Sequence, residues 1–207
     1  MEKFLTVCAA LILTAGMWSA EPETRKIALT FDDGPHPVYT EEILKVLEQE
    51  QVPATFFLLG ENAEQYREQV RMIAEQGHLI GNHTWRHVQV TSLPKEEAEE
   101  EILAVSSLVA ELTGNGTSYV RPPFGIWDPE LEEELDMIPV LWTIDTLDWT
   151  TQNVDWIVEK TVQDAGENDI ILMHDSYEST VQAAERIIRR LKAEGFEFVT
   201  ADRLLLP

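Results

Sequence analysis

The chain has 207 residues, 44% hydrophobic and 26% charged, which suits one globular domain with a substantial core and excludes a disordered chain. Its formal net charge of −23 is the unusual quantity. Nucleic acid and anionic lipid would both be repelled, so neither is expected as a principal partner.

The first twenty residues read as a targeting segment, either a signal peptide or an N-terminal anchor. Lys3 gives a small positive start, and the run from Phe4 to Ala15 is apolar except for Thr6 and Thr14. That run is short for a membrane span and suits a signal-peptide core. Ala20 offers a cleavage point, but Trp18 sits where a small residue is preferred, so an uncleaved anchor is the alternative. The only cysteine, Cys8, lies in this segment. Residues 21–207 then form one cysteine-free domain without disulfides or thiolate ligands, expected to be a secreted or cell-surface monomer.

Seven apolar runs predict strands over residues 27–31, 55–59, 79–82, 118–121, 140–144, 170–173 and 196–199. Most are continuous rather than alternating, as expected of strands buried on both faces. Helical stripes lie between them. Tyr66, Val70, Ile73 and Ala74 form one, Ala98, Ile102, Val105, Val109 and Leu112 a second, and Ala184, Ile187, Ile188 and Leu191 a third. For the second, Ser92 is the expected cap, Pro94 sits near the start and Gly114 follows the end. The acidic clusters Glu96, Glu97, Glu99, Glu100 and Glu101, and Glu132 to Glu134, read as solvated helix faces. Strands alternating with helices imply a parallel sheet, as a barrel or as an open doubly wound sheet. In both forms the chemistry gathers at the C-terminal strand ends.

Polar residues capable of chemistry stand at five of those ends. The first strand runs into Asp32-Asp33-Gly34-Pro35, which alone would read as a turn. The third runs into His83-Thr84-Trp85-Arg86-His87. Imidazoles at i and i+4 share one face of a helical turn, so both can reach one ion. A single added carboxylate completes a two-histidine, one-carboxylate site with positions open to water and substrate, leaving the other aspartate free as a base. Arg121 follows the fourth strand, where a guanidinium can hold a carboxylate by a two-pronged hydrogen bond. Asp145 and Asp148-Trp149 follow the fifth. His174, beside Asp175 at the end of the sixth, is the strongest single acid or base candidate. His36 and His78 read as structural.

The order of these elements resembles the polysaccharide deacetylases of carbohydrate esterase family four, which share the nodulation-factor deacetylase homology domain. The resemblance runs from about Lys26 to the C terminus. It is carried by T-F-D-D-G-P at 30–35, H-T-W-R-H at 83–87, R-P-P-F-G at 121–125, D-T-L-D-W at 145–149 and L-M-H at 172–174. Five short motifs in the right order leave little room for coincidence.

The resemblance implies a distorted (β/α) barrel of about seven parallel strands, with residues 21–207 as the catalytic domain. It implies that Asp33, His83 and His87 bind a divalent metal, commonly zinc, with cobalt or another divalent ion as alternatives. Asp32 would be the general base and His174 the general acid, with Arg121 orienting Asp32 and Asp148 orienting and charging His174. Trp149 and Leu172 would wall the acetyl pocket. The third motif often ends in tyrosine; here Phe124 keeps the backbone N–H expected to donate to the oxyanion. The implied activity is removal of N-acetyl groups from an aminosugar polymer, peptidoglycan first and chitin oligomers second. An O-acetyl esterase acting on xylan is the rival enzyme, and a non-catalytic sugar-binding relative is the rival outside enzymes.

Overall fold

In the computed structural model, residues 25–205 are described, and the expected targeting segment lies outside them. The strands are β1 (Arg25–Asp32), β2 (Thr55–Leu58), β3 (Leu79–Asn82), β4 (Tyr119–Val120), β5 (Ile138–Pro139), β6 (Ile144–Asp145), β7 (Asp169–His174) and β8 (Phe196–Val199). The helices are α1 (Tyr39–Glu50), α2 (Gly60–Gln65), α3 (Arg67–Glu75), α4 (Lys95–Thr113), α5 (Pro129–Leu135), α6 (Val154–Asp164), α7 (Glu178–Ala193) and α8 (Asp202–Leu205). Every strand pair is parallel, in the order β5-β4-β3-β2-β1-β7-β6, with β8 also pairing β1. The architecture is a distorted (β/α) barrel, as the sequence implied. No helix among the described residues is long and apolar enough to cross a membrane.

Period-two alternation divides β1 between two cores. Ile27, Leu29 and Phe31 join Ile171 and Met173 of β7 in the larger cluster, which also holds Ile43, Leu47, Ile187, Ile188 and Leu191 from the flanking helices. Ala28 belongs to a smaller cluster with Phe57, Val140, Ile170 and Ala201. Thr30 and Asp32 continue the Ala28 face, which delivers Asp32 to the polar end of the sheet.

The expected strand over residues 140–144 is corrected. Ile138–Pro139 and Ile144–Asp145 fall at opposite ends of the sheet, and the residues between them cross from one end to the other. The Val140 N–H donates to Val120 O at 2.8 Å, whereas the Thr143 N–H donates to Ile170 O at 3.0 Å. Between these anchors the Val140 and Leu141 carbonyls accept from Arg121, so no continuous ladder forms. This crossing segment takes the place of a β5–β6 pairing.

Two helix details also differ. Ser92 does not cap α4: its Oγ donates to the Gln89 carbonyl, and Pro94 directly precedes the helix. Gly114 ends α4 as expected, at φ 87°. The stripe beginning at Tyr66 is broken at its first member, because Tyr66 lies between α2 and α3 with φ −120° and ψ 52°.

Candidate active site

Asp32 is the last residue of β1, and strand register sets it beside Phe57 of β2 and His174 of β7. Arg121, following β4, is completely buried beneath it. Its Nη1 donates to Asp32 Oδ1 at 2.7 Å and to Thr30 Oγ1 at 2.6 Å. Nε donates to Val140 O at 3.0 Å, Nη2 donates to Leu141 O at 3.3 Å, and the guanidinium lies 4.2 Å from the Phe57 ring centre. The expected two-pronged clasp is therefore a single prong, because the other donors serve the crossing segment. A buried charge needs such saturation, and here every donor group has an acceptor.

Immediately after β1 the chain turns at Asp33, whose φ is +70°. Asp33 Oδ1 lies 3.4 Å from His83 Nε2 and 3.6 Å from His87 Nε2. His83 Nδ1 lies 2.6 Å from the Arg121 carbonyl, which can only accept. Nδ1 therefore carries a hydrogen, and Nε2 is the nitrogen that faces Asp33. Ligand atoms held about 2 Å from one tetrahedral ion stand roughly 3.3 Å apart. The donor set fits such an ion, and Asp33 Oδ1 is buried with no hydrogen-bond partner. Burial alone would raise the Asp33 carboxyl, but His83, with help from His174 and His87, holds it below the ordinary aspartate value. Burial, reinforced by the charge of His83, lowers His87 below the ordinary histidine value and so favours the neutral form that a metal ligand would need. For His83 burial is outweighed by Asp32 and Asp33, which favour a cation at this position.

The two histidines do not share a helical turn. Residues 83–87 form a loop after β3, with Thr84 at φ 65° and His87 at φ 57°. Positive φ is rare in a β-branched residue, so neighbours must hold it. Asn82 Oδ1 accepts from the Thr84 N–H at 2.9 Å. The Thr84 and Trp85 carbonyls accept from the Gly60 and Glu61 amides at the start of α2, at 3.0 and 3.1 Å. Glu101 of α4 accepts from the Trp85 and Arg86 amides at 3.0 and 2.9 Å, and from Arg86 Nε at 2.5 Å. Glu101 is only 4% exposed, which corrects its reading as part of a solvated face. The signal was present in its phase: it follows Ala98 by three and precedes Ile102 by one, inside the apolar stripe.

On the other side of Asp32 stand Asp148 and His174. Asp148 Oδ1 lies 2.8 Å from His174 Nδ1, and Oδ2 accepts from the His174 N–H at 2.8 Å and from Thr180 Oγ1 at 2.7 Å. Burial opposes the imidazolium, but the hydrogen bond and charge of Asp148, with Asp32 and Asp33 beyond, push His174 up to about 9. It is therefore charged at neutral pH.

Asp175, which the sequence left without a role, is fully buried against the Asp33–Pro35 turn. A Cβ on Gly34 would meet its Oδ2 at 2.3 Å, so only glycine fits there. Burial pushes its carboxyl up to about 7 despite the hydrogen bond from Thr40.

Phe124, 63% exposed, has φ 62° and sets its ring edge-on to His87 at 4.9 Å. Its N–H donates to no backbone carbonyl among the described residues. Trp149 is 55% exposed, whereas Leu172 is buried in β7 two residues before His174. Asp145 Oδ1 accepts from the Leu147 N–H and shapes the loop. His36 accepts from the Val38 and Tyr39 amides, and His78 from the Ala54 amide, so both are structural.

The sequence profile described as polysaccharide deacetylase matches residues 19–139. The peptidoglycan-N-acetylmuramic acid deacetylase PdaC of Bacillus subtilis is 36% identical, over 90% of this chain and 40% of its own length. The peptidoglycan-N-acetylglucosamine deacetylase PgdA of Listeria monocytogenes is also 36% identical, over 87% of this chain and 39% of its own. This chain thus spans about two fifths of the length of these relatives. The solved structure of the Bacillus subtilis peptidoglycan deacetylase PdaC matches with a TM-score of 0.85 at 36% identity, covering 89% of this chain and 92% of that one.

Proposed function

The chain belongs to the polysaccharide deacetylase family, and from that premise we propose that it is a metal-dependent hydrolase removing N-acetyl groups from an aminosugar polymer, peptidoglycan in first place. The observation that supports this most is the register pairing of Asp32 with His174, set beside the cluster of Asp33, His83 and His87. Relatives named for deacetylation of N-acetylmuramic acid and of N-acetylglucosamine support the substrate class. We also assign residues 1–20 to targeting toward the cell envelope and residues 21–207 to catalysis.

Asp33, His83 and His87 would hold one divalent ion, zinc or cobalt. When bound, such an ion polarises a carbonyl and acidifies water. Arg121 occupies Asp32 Oδ1 and leaves Oδ2, 3.8 Å from His83 Nε2, as the oxygen that takes the proton of the attacking water. The Phe124 N–H would donate to the oxyanion. Asp148 binds Nδ1 of His174, so Nε2 carries the proton delivered to the departing amine. Water is consumed, the amide C–N bond breaks, and acetate and a free amino sugar leave.

The test is acetate release from peptidoglycan fragments, N-acetylglucosamine oligomers and acetylated xylan, with and without chelator. Release from the aminosugar substrates, lost on chelation and restored by zinc or cobalt, is expected. Release from xylan alone would make the chain an O-acetyl esterase. Full activity after exhaustive chelation, with no metal bound, would remove the metal from the reaction.

A further inference from the structure

We propose that Glu101 is a positioning residue for the metal centre: from α4 it clamps the backbone between His83 and His87 and presets both imidazoles for one ion. The inference rests on the reading of Asp33, His83 and His87 as ligands.

A carboxylate withdrawn from water is unfavourable unless its oxygens are saturated by donors. Both oxygens of Glu101 are used. Oε2 takes the consecutive amides of Trp85 and Arg86, and Oε1 takes Nε and Nη2 of Arg86. The two amides lie between the proposed ligands, so the clamp acts on the segment whose shape sets their separation. The same segment gives its Thr84 and Trp85 carbonyls to the α2 amides. The loop is thus held by its carbonyls on α2 and by its amides on α4. Trp85 adds a steric stop, since a Cβ on Gly60 would meet its ring at 2.2 Å.

An ordinary ion pair does not account for this arrangement. The Arg86 side chain is 56% exposed, and a pairing at the surface needs no buried carboxylate. Two of the contacts go to peptide amides, which supply no charge and serve only to fix the backbone. The loop needs such fixing, because Thr84 and His87 both sit at positive φ. Without an acceptor for residues 85 and 86, no hydrogen bond from α4 among the described residues opposes relaxation of those dihedrals. The imidazoles would then leave the positions that bring both Nε2 atoms to Asp33. Helix α4 itself is held by Ala98, Ile102, Val105, Leu108 and Val109, which do not depend on the clamp.

The full chain is stripped of metal and titrated with zinc and with cobalt alone, reading affinity and the visible cobalt spectrum. Melting of the metal-free proteins is measured in parallel. Glu101→Ala is expected to lower affinity about 10–100-fold and to change the cobalt spectrum, with activity returning in excess metal. Glu101→Gln keeps one oxygen for the two amides and is expected to recover most of the affinity. Glu101→Asp, one methylene short, is not. Arg86→Ala leaves the amide contacts and should bind nearly as wild type.

Wild-type affinity and spectrum in Glu101→Ala would overturn the proposal, as would a loss in Arg86→Ala equal to that in Glu101→Ala. If Glu101→Ala does not fold, Glu101→Asp and Glu101→Gln decide, and wild-type affinity in both would overturn it. A wild-type chain that bound neither ion would defeat the ligand assignment itself, a failure distinct from an effective ion site indifferent to Glu101.

Discussion

His174 carries its proton because the Asp148 carboxylate faces Nδ1, so the group that would be offered to a leaving amine in the proposed reaction is charged, in the metal-free protein, until the pH passes about 9. The rate should show an alkaline limb as His174 loses its proton. Asp148→Asn removes the neighbouring charge and should move the limb to lower pH, besides lowering the rate through misorientation. His174→Ala should abolish the limb with metal content unchanged. A limb that stayed in place in both variants would assign the titration elsewhere. The raised pKa also has a stability consequence: the stabilisation from His174 is complete below about 6.5 and is lost as pH rises through about 9. The adjacent aspartates should separate by readout. Asp33→Asn should weaken zinc binding, whereas Asp32→Asn should keep the ion and lose about 10²–10⁴-fold in rate. Metal lost from Asp32→Asn but kept by Asp33→Asn would reverse the assignment. These residues were legible because each stands at a strand end inside a short motif. Glu101 was not, since a carboxylate in an acidic helix looks solvated unless its phase in the apolar stripe is counted. Asp175 was hidden differently: its burial depends on Gly34, distant in sequence.

The elements show where periodicity misleads. Residues 140–144 read as strand, yet the Val140 and Leu141 carbonyls accept from Arg121, while the Val140 and Thr143 amides donate to strands on opposite sides of the sheet. No pattern in a single segment reveals that an arginine elsewhere will use its backbone. The His83–His87 spacing predicted convergence correctly through a helical turn that does not form; a clamped loop brings the imidazoles together instead. Strands buried on both faces were legible as apolar runs, and β4 falls inside the expected 118–121, whereas β5 and β6, with two residues each, are too short for periodicity to define. Arg121 acts as a strut between the sheet and the crossing segment. Arg121→Met should cost about 3–5 kcal/mol in urea unfolding, because Asp32 would be left buried without its partner. Arg121→Lys should rescue little, as one ammonium cannot reach four acceptors. Wild-type stability in the methionine variant would deny the strut.

For the whole molecule, 38 acidic residues against 15 basic ones leave like charges repelling across the surface. Screening extends over about 10 Å at 0.1 M salt and shortens as salt is added, so the melting temperature should rise with sodium chloride in metal-free protein. A flat or falling curve would mean that the repulsion is not limiting. Alternation of strand and helix left barrel and open sheet undecided, because closure depends on which edges meet, a property of no single segment. The pairing of β1 carries a consequence of another kind. Asp32 and His174 are direct neighbours across β1 and β7, two central strands of the sheet, so their backbone spacing is set by a ladder rather than by loop conformation. The exposed side chains of Phe124 and Trp149 can therefore be exchanged without retuning that backbone spacing. Variation among the exposed rim side chains is mechanically uncoupled from the spacing of this pair, so related chains can change their rim while keeping one fixed centre.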